Sequence, residues 1–358
     1  MAYSAPTSTV IPDSTHYQTV AGALAAGNVV PFLGAGANVR SDTLAGGAPE
    51  SRLPDAAELC RLIAGPGTPR EGDLLKISQY VELLEGSGPL YQRLRQVFAA
   101  DYRPGPVHQF LLNLPELIAA RGLTPREPLI VTTNYDHVLE ATLQRAGREF
   151  DQLVFIADGP SAGRFLHRKW RLATPSGADT PTAAAAPPPE GEPLGNVTPQ
   201  PHHVIDVPNT YRDPDLTDRT RPVIVKIHGA VDMQSAQLDS YVITEDDYID
   251  YLAQPELQSF LPVAVHERLK DSHILFMGYS LRDWNLRVVL RRIWDTRTLT
   301  WRSWAVQLMP EDARVEDLDR RFWSKHDVEI VHAPLTDYVA GLRAAIDRLP
   351  PSRPEPPR

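Results

Sequence analysis

Short apolar runs that stop at polar or glycine-rich turns, with helical patterns between them, constrain this chain more than any other feature. Residues 29–33 (VVPFL), 128–133 (PLIVTT), 222–227 (PVIVKI) and 273–278 (HILFMG) are the clearest. Residues 150–156, 241–243, 303–308 and 328–332 are further extended stretches. Strands apolar on both faces, alternating with helices, form a parallel sheet covered on two sides. The expected fold is a doubly wound, Rossmann-like α/β domain. Helical spacing appears over 16–26, 54–64, 73–84, 90–98 and 107–120, the last with a break expected at Pro115. Helices without an intervening strand, about 54–121, read as a helical module inserted after the first strand. Within it Cys60 reads as a core residue and His108 as a structural residue near a helix start. Further helices are expected over 137–146, 244–251, 256–270, 284–294, 311–325 and 336–349.

Composition narrows the function classes. One cysteine in 358 residues permits neither an intrachain disulfide nor a cysteine zinc cluster. A net charge of −9 argues against a nucleic-acid-binding surface. The first residues lack a charged segment followed by an apolar core, and no apolar run approaches the ~20 residues that span a bilayer. A cytoplasmic place, away from membranes, is expected. Residues 1–15 and 350–358 read as a disordered lead and tail around one domain, 16–349. Residues 41–52 read as a mobile loop over the first glycine turn. Residues 172–200 are rich in Pro, Ala, Gly and Thr and poor in large apolar side chains, so a flexible insertion is expected over about 157–221. Before it, GRFLHRKWR (163–171) reads as a solvated edge, with a partner or nucleic-acid contact as the alternative.

Four strand ends carry the candidate chemistry: Gly34-Ala35-Gly36 with Asn38, Thr132 and Asn134 with Asp136, His228, and Gly278 and Ser280 with Asp283. Ligands of open α/β sheets bind outside the carboxyl ends of the strands, so these groups are expected on one edge. Each also has a plain reading. Gly34 to Gly36 can be a tight turn, and the third glycine of a dinucleotide fingerprint is missing because Val39 stands there. Asn134 and Asp136 can cap a helix, His228 can be a core histidine, and Asp283 can be a cap.

In this order, GAGAN (34–38), TTNYD (132–136), KIHG (226–229) and GYSLRDWN (278–285) resemble the motif set of the sirtuin superfamily. The spacing is closer to the sirtuin-like NAD-consuming domains of bacterial anti-phage defence than to the deacetylases. The resemblance implies NAD+ as substrate and no metal. It implies that Gly34, Ala35 and Gly36 approach the pyrophosphate and that Asn134 orients the water or the nicotinamide ribose. It further implies that Asp136 holds the carboxamide and that His228 is the catalytic base. Gly278 and Ser280 would contact phosphate or the adenosine ribose, with Asn38, Thr132 and Asp283 completing the pocket. The single cysteine departs from the deacetylases, whose structural zinc takes four.

The implied activity is NAD+ hydrolysis at the nicotinamide–ribose bond by a regulated, NAD-depleting effector. Control would come from a homo-oligomer or a separately encoded partner such as a HerA-type ATPase. Two other classes stay open: a non-catalytic subunit that binds NAD or ADP-ribose, and a zinc-free deacylase or ADP-ribosyltransferase.

Overall fold

Strand β1 (Val29–Leu33) shows why the apolar runs become sheet. Its side chains alternate between faces: Val29 and Leu33 join one buried cluster, Val30 and Phe32 the other. The computed structural model describes residues 13–38, 52–173, 196–253, 261–279, 302–309 and 312–351. Ser280, Asp283, the helix expected at 284–294, and most of the expected lead, lid loop and tail lie outside the described residues.

The other strands of the main sheet are β2 (Leu129–Thr132), β3 (Phe150–Phe155), β4 (Phe165–Leu172), β5 (Val197–Pro199), β6 (His203–Ile205), β7 (Val223–Lys226), β10 (His273–Met277), β11 (Ser303–Gln307) and β12 (Val328–His332). They form a ten-stranded sheet in the order β12-β11-β10-β1-β2-β7-β3-β4-β5, with β6 also on β4. Pairing is parallel from β12 through β3 and antiparallel from β3 outward. The chain builds β2, β3 and β7 on one side of β1, then crosses to build β10, β11 and β12 on the other. The carboxyl end of β1 is therefore the topological switch point, where such sheets open a crevice. A small ribbon, β8 (Gly229–Ala230) with β9 (Ser240–Tyr241), follows β7.

Helices α1 (Ser14–Ala25), α5 (Pro106–Ala119), α6 (Val138–Arg145) and α10 (Leu335–Ile346) cover one face. Helices α7 (Glu245–Ala253), α8 (Val263–Lys270) and α9 (Ala313–Ser324) cover the other. The remaining helices, α2 (Ala56–Ile63), α3 (Leu74–Glu85) and α4 (Ser87–Phe98), form a separate core with Cys60 at its centre, closed by Val231, Tyr241 and Ile243 of the ribbon region. Among the described residues no helix is long and apolar enough to cross a membrane.

Several expectations change. Helix α1 starts at Ser14 with Asp13 as its cap, so the described structure reaches into the expected lead. Pro54 precedes α2, whose cap is Asp55. Helix α5 runs through Pro115, because Phe110, Leu111, Leu114 and Ile118 are fixed in the core on both sides of it. Those contacts place α5 in the sheet layer rather than in the inserted module.

The expected flexible insertion contains β4, β5 and β6, and residues 174–195 between them lie outside the described residues. The basic stretch is no solvated edge. His167 lies 2.8 Å from Asp151, and Arg168 pairs with Asp232 at 2.5 Å. Lys169 pairs with Asp213 and Asp215, and Arg171 with Asp151 and Asp215. Its charges are used within the fold.

At the switch point the turn after β1 nests on the turn after β10. The Gly36 N–H donates to the Gly278 carbonyl at 2.8 Å, and Gly34 N–H to that of Met277 at 3.0 Å. Gly278 has φ +70°, and a Cβ there would stand 2.0 Å from the Ala37 nitrogen. Gly278→Ala is therefore expected to destabilise by about 2 kcal/mol or more. Gly22→Ala, with open space inside α1, should gain about 0.5–1 kcal/mol. Urea unfolding of both variants checks the contrast; equal effects would contradict it.

Candidate functional site

Three expected strand ends converge at the switch point. The hydroxyl of Thr132 donates to the Leu33 carbonyl (3.1 Å) and accepts from the Asn134 N–H (3.0 Å). The Asn134 side chain donates through Nδ2 to the Gly34 carbonyl at 3.1 Å. Asn38, at the end of the 3₁₀ turn Ala35–Asn38, donates from Nδ2 to Asp136 Oδ2 at 3.0 Å. The other Asp136 oxygen accepts from the Val138 N–H at 3.0 Å and starts α6. The capping reading of Asp136 thus holds, while the same carboxylate faces the first glycine turn.

The glycine turn is partly spoken for. The N–H groups of Gly34, Gly36 and Ala37 donate within the protein. Ala35 forms the exposed crest, with Gly36 and Gly278 half-buried beside it. The glycines first allow two turns to touch, and Ala35 is the most exposed residue of the first turn.

His228 follows β7 and is 2% exposed. Its carbonyl accepts from the Val242 N–H at 2.9 Å. The rings of Tyr248 and Tyr251 on α7 stand edge-on to the imidazole, at 5.3 and 5.4 Å. Nδ1 lies 3.3 Å from the Tyr248 hydroxyl. Nε2 is buried without a hydrogen-bond partner among the described residues, and so is Asn38 Oδ1. Buried polar atoms are nearly always paired, so both are exceptions to the usual pattern. Burial pushes the His228 pKa down to about 3. The imidazole is neutral, and a neutral imidazole can accept a proton.

Lys226 was not singled out in the sequence, yet it ties two of the motifs together. Its ammonium, 2% exposed, donates to the Asp136 carbonyl and lies 2.9 Å from Glu140 Oε1 on α6. Gln152 of β3 donates to the same Glu140 oxygen at 2.9 Å. A lone charge inside the apolar run PVIVKI was the available signal. Tyr248, the neighbour of His228, gave none. His108 accepts from the Gly105 N–H at 3.1 Å, the structural role expected near a helix start, and burial lowers its pKa. It shares a small cavity with Asn38, Arg52, Leu53, Tyr102 and Val138.

A family model described as a SIR2-like domain matches residues 128–331, more than half of the chain. The chain belongs to the SIR2-like family. Membership implies NAD+ use and NAD-related activity. The match begins just before β2, so it includes the Asn134, His228 and Gly278 turns of this SIR2-like chain but not its first glycine turn. No curated protein matches the chain.

The low pKa of His228 has a stability consequence. Between pH 6.5 and about 3 the unfolded chain binds a proton at this residue that the folded chain does not. The contribution is complete above pH 6.5 and is lost as pH falls, by about 1.4 kcal/mol per unit well below it. His16, His108 and His332 are shifted in the same direction by burial. Stability should fall from pH 7 to pH 5, and His228→Gln should flatten the slope by close to one proton. Denaturant unfolding across that range measures it; identical slopes would count against a neutral buried His228.

Proposed function

We propose that this SIR2-like chain is an NAD+ glycohydrolase that cleaves the nicotinamide–ribose bond. The observation that carries the reading is the unpartnered, buried Nε2 of His228 on the same sheet edge as Asn134 and Asp136. A subunit that only bound nucleotide would have no need of a proton acceptor there.

Breaking the C1′–N bond sends its electron pair to the pyridinium nitrogen, so nicotinamide leaves neutral and needs no acid. The protein has to orient the sugar, limit bulk water and deliver one nucleophile. Asn134 holds the water or the ribose without adding a competing charge. As the water oxygen bonds to C1′, its proton passes to His228 Nε2, while Nδ1–H donates to Tyr248. The negative pyrophosphate of NAD+ and opening of the tyrosine cage both raise the proton affinity of an imidazole that burial alone keeps low. Asn38 Oδ1 and Asp136 offer acceptors to the nicotinamide carboxamide, next to the small cavity at Tyr102 and His108. Ala35, Gly36 and Gly278 line the crest for the pyrophosphate, with Thr132 holding the Asn134 turn in register.

The reading extends to a regulated NAD-depleting effector of anti-phage defence. Its control would come from a homo-oligomer or a separately encoded partner such as a HerA-type ATPase. That extension rests on the motif resemblance. The internally bonded Asn134 and Asp136 and the sealed His228 support a form that needs opening before turnover.

The test is nicotinamide release from NAD+ by the purified protein, alone and with its assembly partners. His228→Ala and Asn134→Ala should each lower turnover by ~10²–10⁴-fold in protein that circular dichroism shows to be folded at the assay temperature. Full activity in both variants would overturn the assignment of the site.

A further inference from the structure

The edge of the sheet opposite the NAD crevice carries a group of arginines that the proposed activity does not use. It lies where β1, β2, β7 and β10 begin. Arg126 donates from Nη1 to the Ala26 carbonyl (3.4 Å), and Arg219 from Nη1 to the next carbonyl, Gly27 (3.3 Å). Arg268, near the end of α8, donates from Nη2 to the Glu127 carbonyl at 2.9 Å, and the Glu127 N–H donates to the Arg219 carbonyl at 3.0 Å. The three side chains thus bond the main-chain carbonyls of Ala26, Gly27 and Glu127, in the turns that lead into β1 and β2.

Among the described residues no carboxylate is bonded to them and none of the three forms an ion pair; Asp218 acts on Arg268 only at a distance. The Glu127 carboxylate is engaged by Arg148. Asp218 is occupied by the N–H and hydroxyl of Thr220, at 2.9 and 2.7 Å, with Arg221 3.8 Å away. Arg268 is only 8% exposed, and its Nη1 is buried with no hydrogen-bond partner. Burial, and then the repulsion of Arg219, lower its pKa to about 10, and Asp218 opposes this only in part.

A buried guanidinium that lacks an ion-paired counter-charge is far costlier than an apolar residue of the same length. Its one hydrogen bond to a carbonyl does not require a charge, since a neutral amide would make it. A water could satisfy Nη1 but would leave the charge uncompensated. In a chain of net charge −9, three arginines gathered without an ion-paired carboxylate are the reverse of the general balance. What completes the group is an anion with several acceptor oxygens, matched to the forked donors of arginine.

We propose that Arg126, Arg219 and Arg268 form a binding site for a phosphate-class oxyanion at the amino-terminal edge of the sheet. Arg268 is its buried anchor, and the half-buried Arg219 and exposed Arg126 are its outer donors. The site stands apart from the NAD crevice and does not depend on the proposed hydrolysis.

Isothermal titration of inorganic phosphate into the full chain, at ionic strength held constant with sodium chloride, tests it. The expected result is saturable one-to-one binding that His228→Gln leaves intact. Arg219→Ala should weaken it at least tenfold, and Arg268→Met should abolish it. Should Arg268→Met fail to fold, the Arg126→Ala and Arg219→Ala double variant carries the same expectation of lost binding. A parallel titration with glycerol 3-phosphate separates the sources: tighter binding identifies a phosphate ester, weaker binding the free anion, and both uphold the site. Absence of saturable binding in the parent protein, or binding undiminished by Arg219→Ala, would overturn the proposal.

Discussion

The ammonium of Lys226, the last residue of the central strand β7, is out of reach of water. Burying such a charge costs several kcal/mol unless close partners answer it. Here the partners are the Asp136 carbonyl and Glu140, so the charge can be accommodated only while β7, the turn after β2, and α6 keep their relative positions. His228 is two residues beyond Lys226, and the Asp136 carbonyl accepts from Lys226. The two turns that carry the candidate chemistry are therefore held to each other by one buried cation. Close contact of Gly36 with Gly278 does the same for the two turns on the other side of β1. Together these contacts determine the geometry of the crevice before any ligand enters.

The same economy explains why the site looks shut. Asn134 is bonded to Gly34, and Asp136 to Asn38 and the start of α6. A histidine enclosed by two tyrosines has lost its water without gaining a partner for Nε2. Such an arrangement keeps the imidazole neutral and shut away from solvent. Under the proposed hydrolysis, turnover would require a few polar contacts to rearrange, a change within reach of a bound nucleotide.

Much of the fold was legible because strands buried on both faces leave an unmistakable apolar run, and Val29–Leu33 and His273–Met277 are such runs. β4 was not legible for the opposite reason. His167, Arg168, Lys169 and Arg171 look like surface residues, and only their partners, Asp151, Asp213, Asp215 and Asp232, make their burial affordable. Those partners stand far along the chain, where no periodicity points to them. Pro115 misled because helix propensity is local, while α5 is held by contacts with the sheet. At the site, Asn134, Asp136 and His228 were legible as strand-end polar groups. The roles of Lys226 and Tyr248 came from topology: each acts through a neighbour that the fold supplies. Thr132 was legible as a site residue, but its hydroxyl is spent on joining β1 to β2.

The claim on which the account turns is that His228 Nε2 is the empty acceptor of a nucleotide crevice. Nitrogen-15 NMR of histidine-labelled protein, titrated with ADP-ribose, observes that atom directly. One imidazole, absent from the spectrum of His228→Gln, should begin in the neutral form. Its Nε2 resonance should shift as a hydrogen bond forms, saturating with the ligand. An Nε2 resonance that stays in place while ADP-ribose binds, or no ADP-ribose binding at all, would contradict the account.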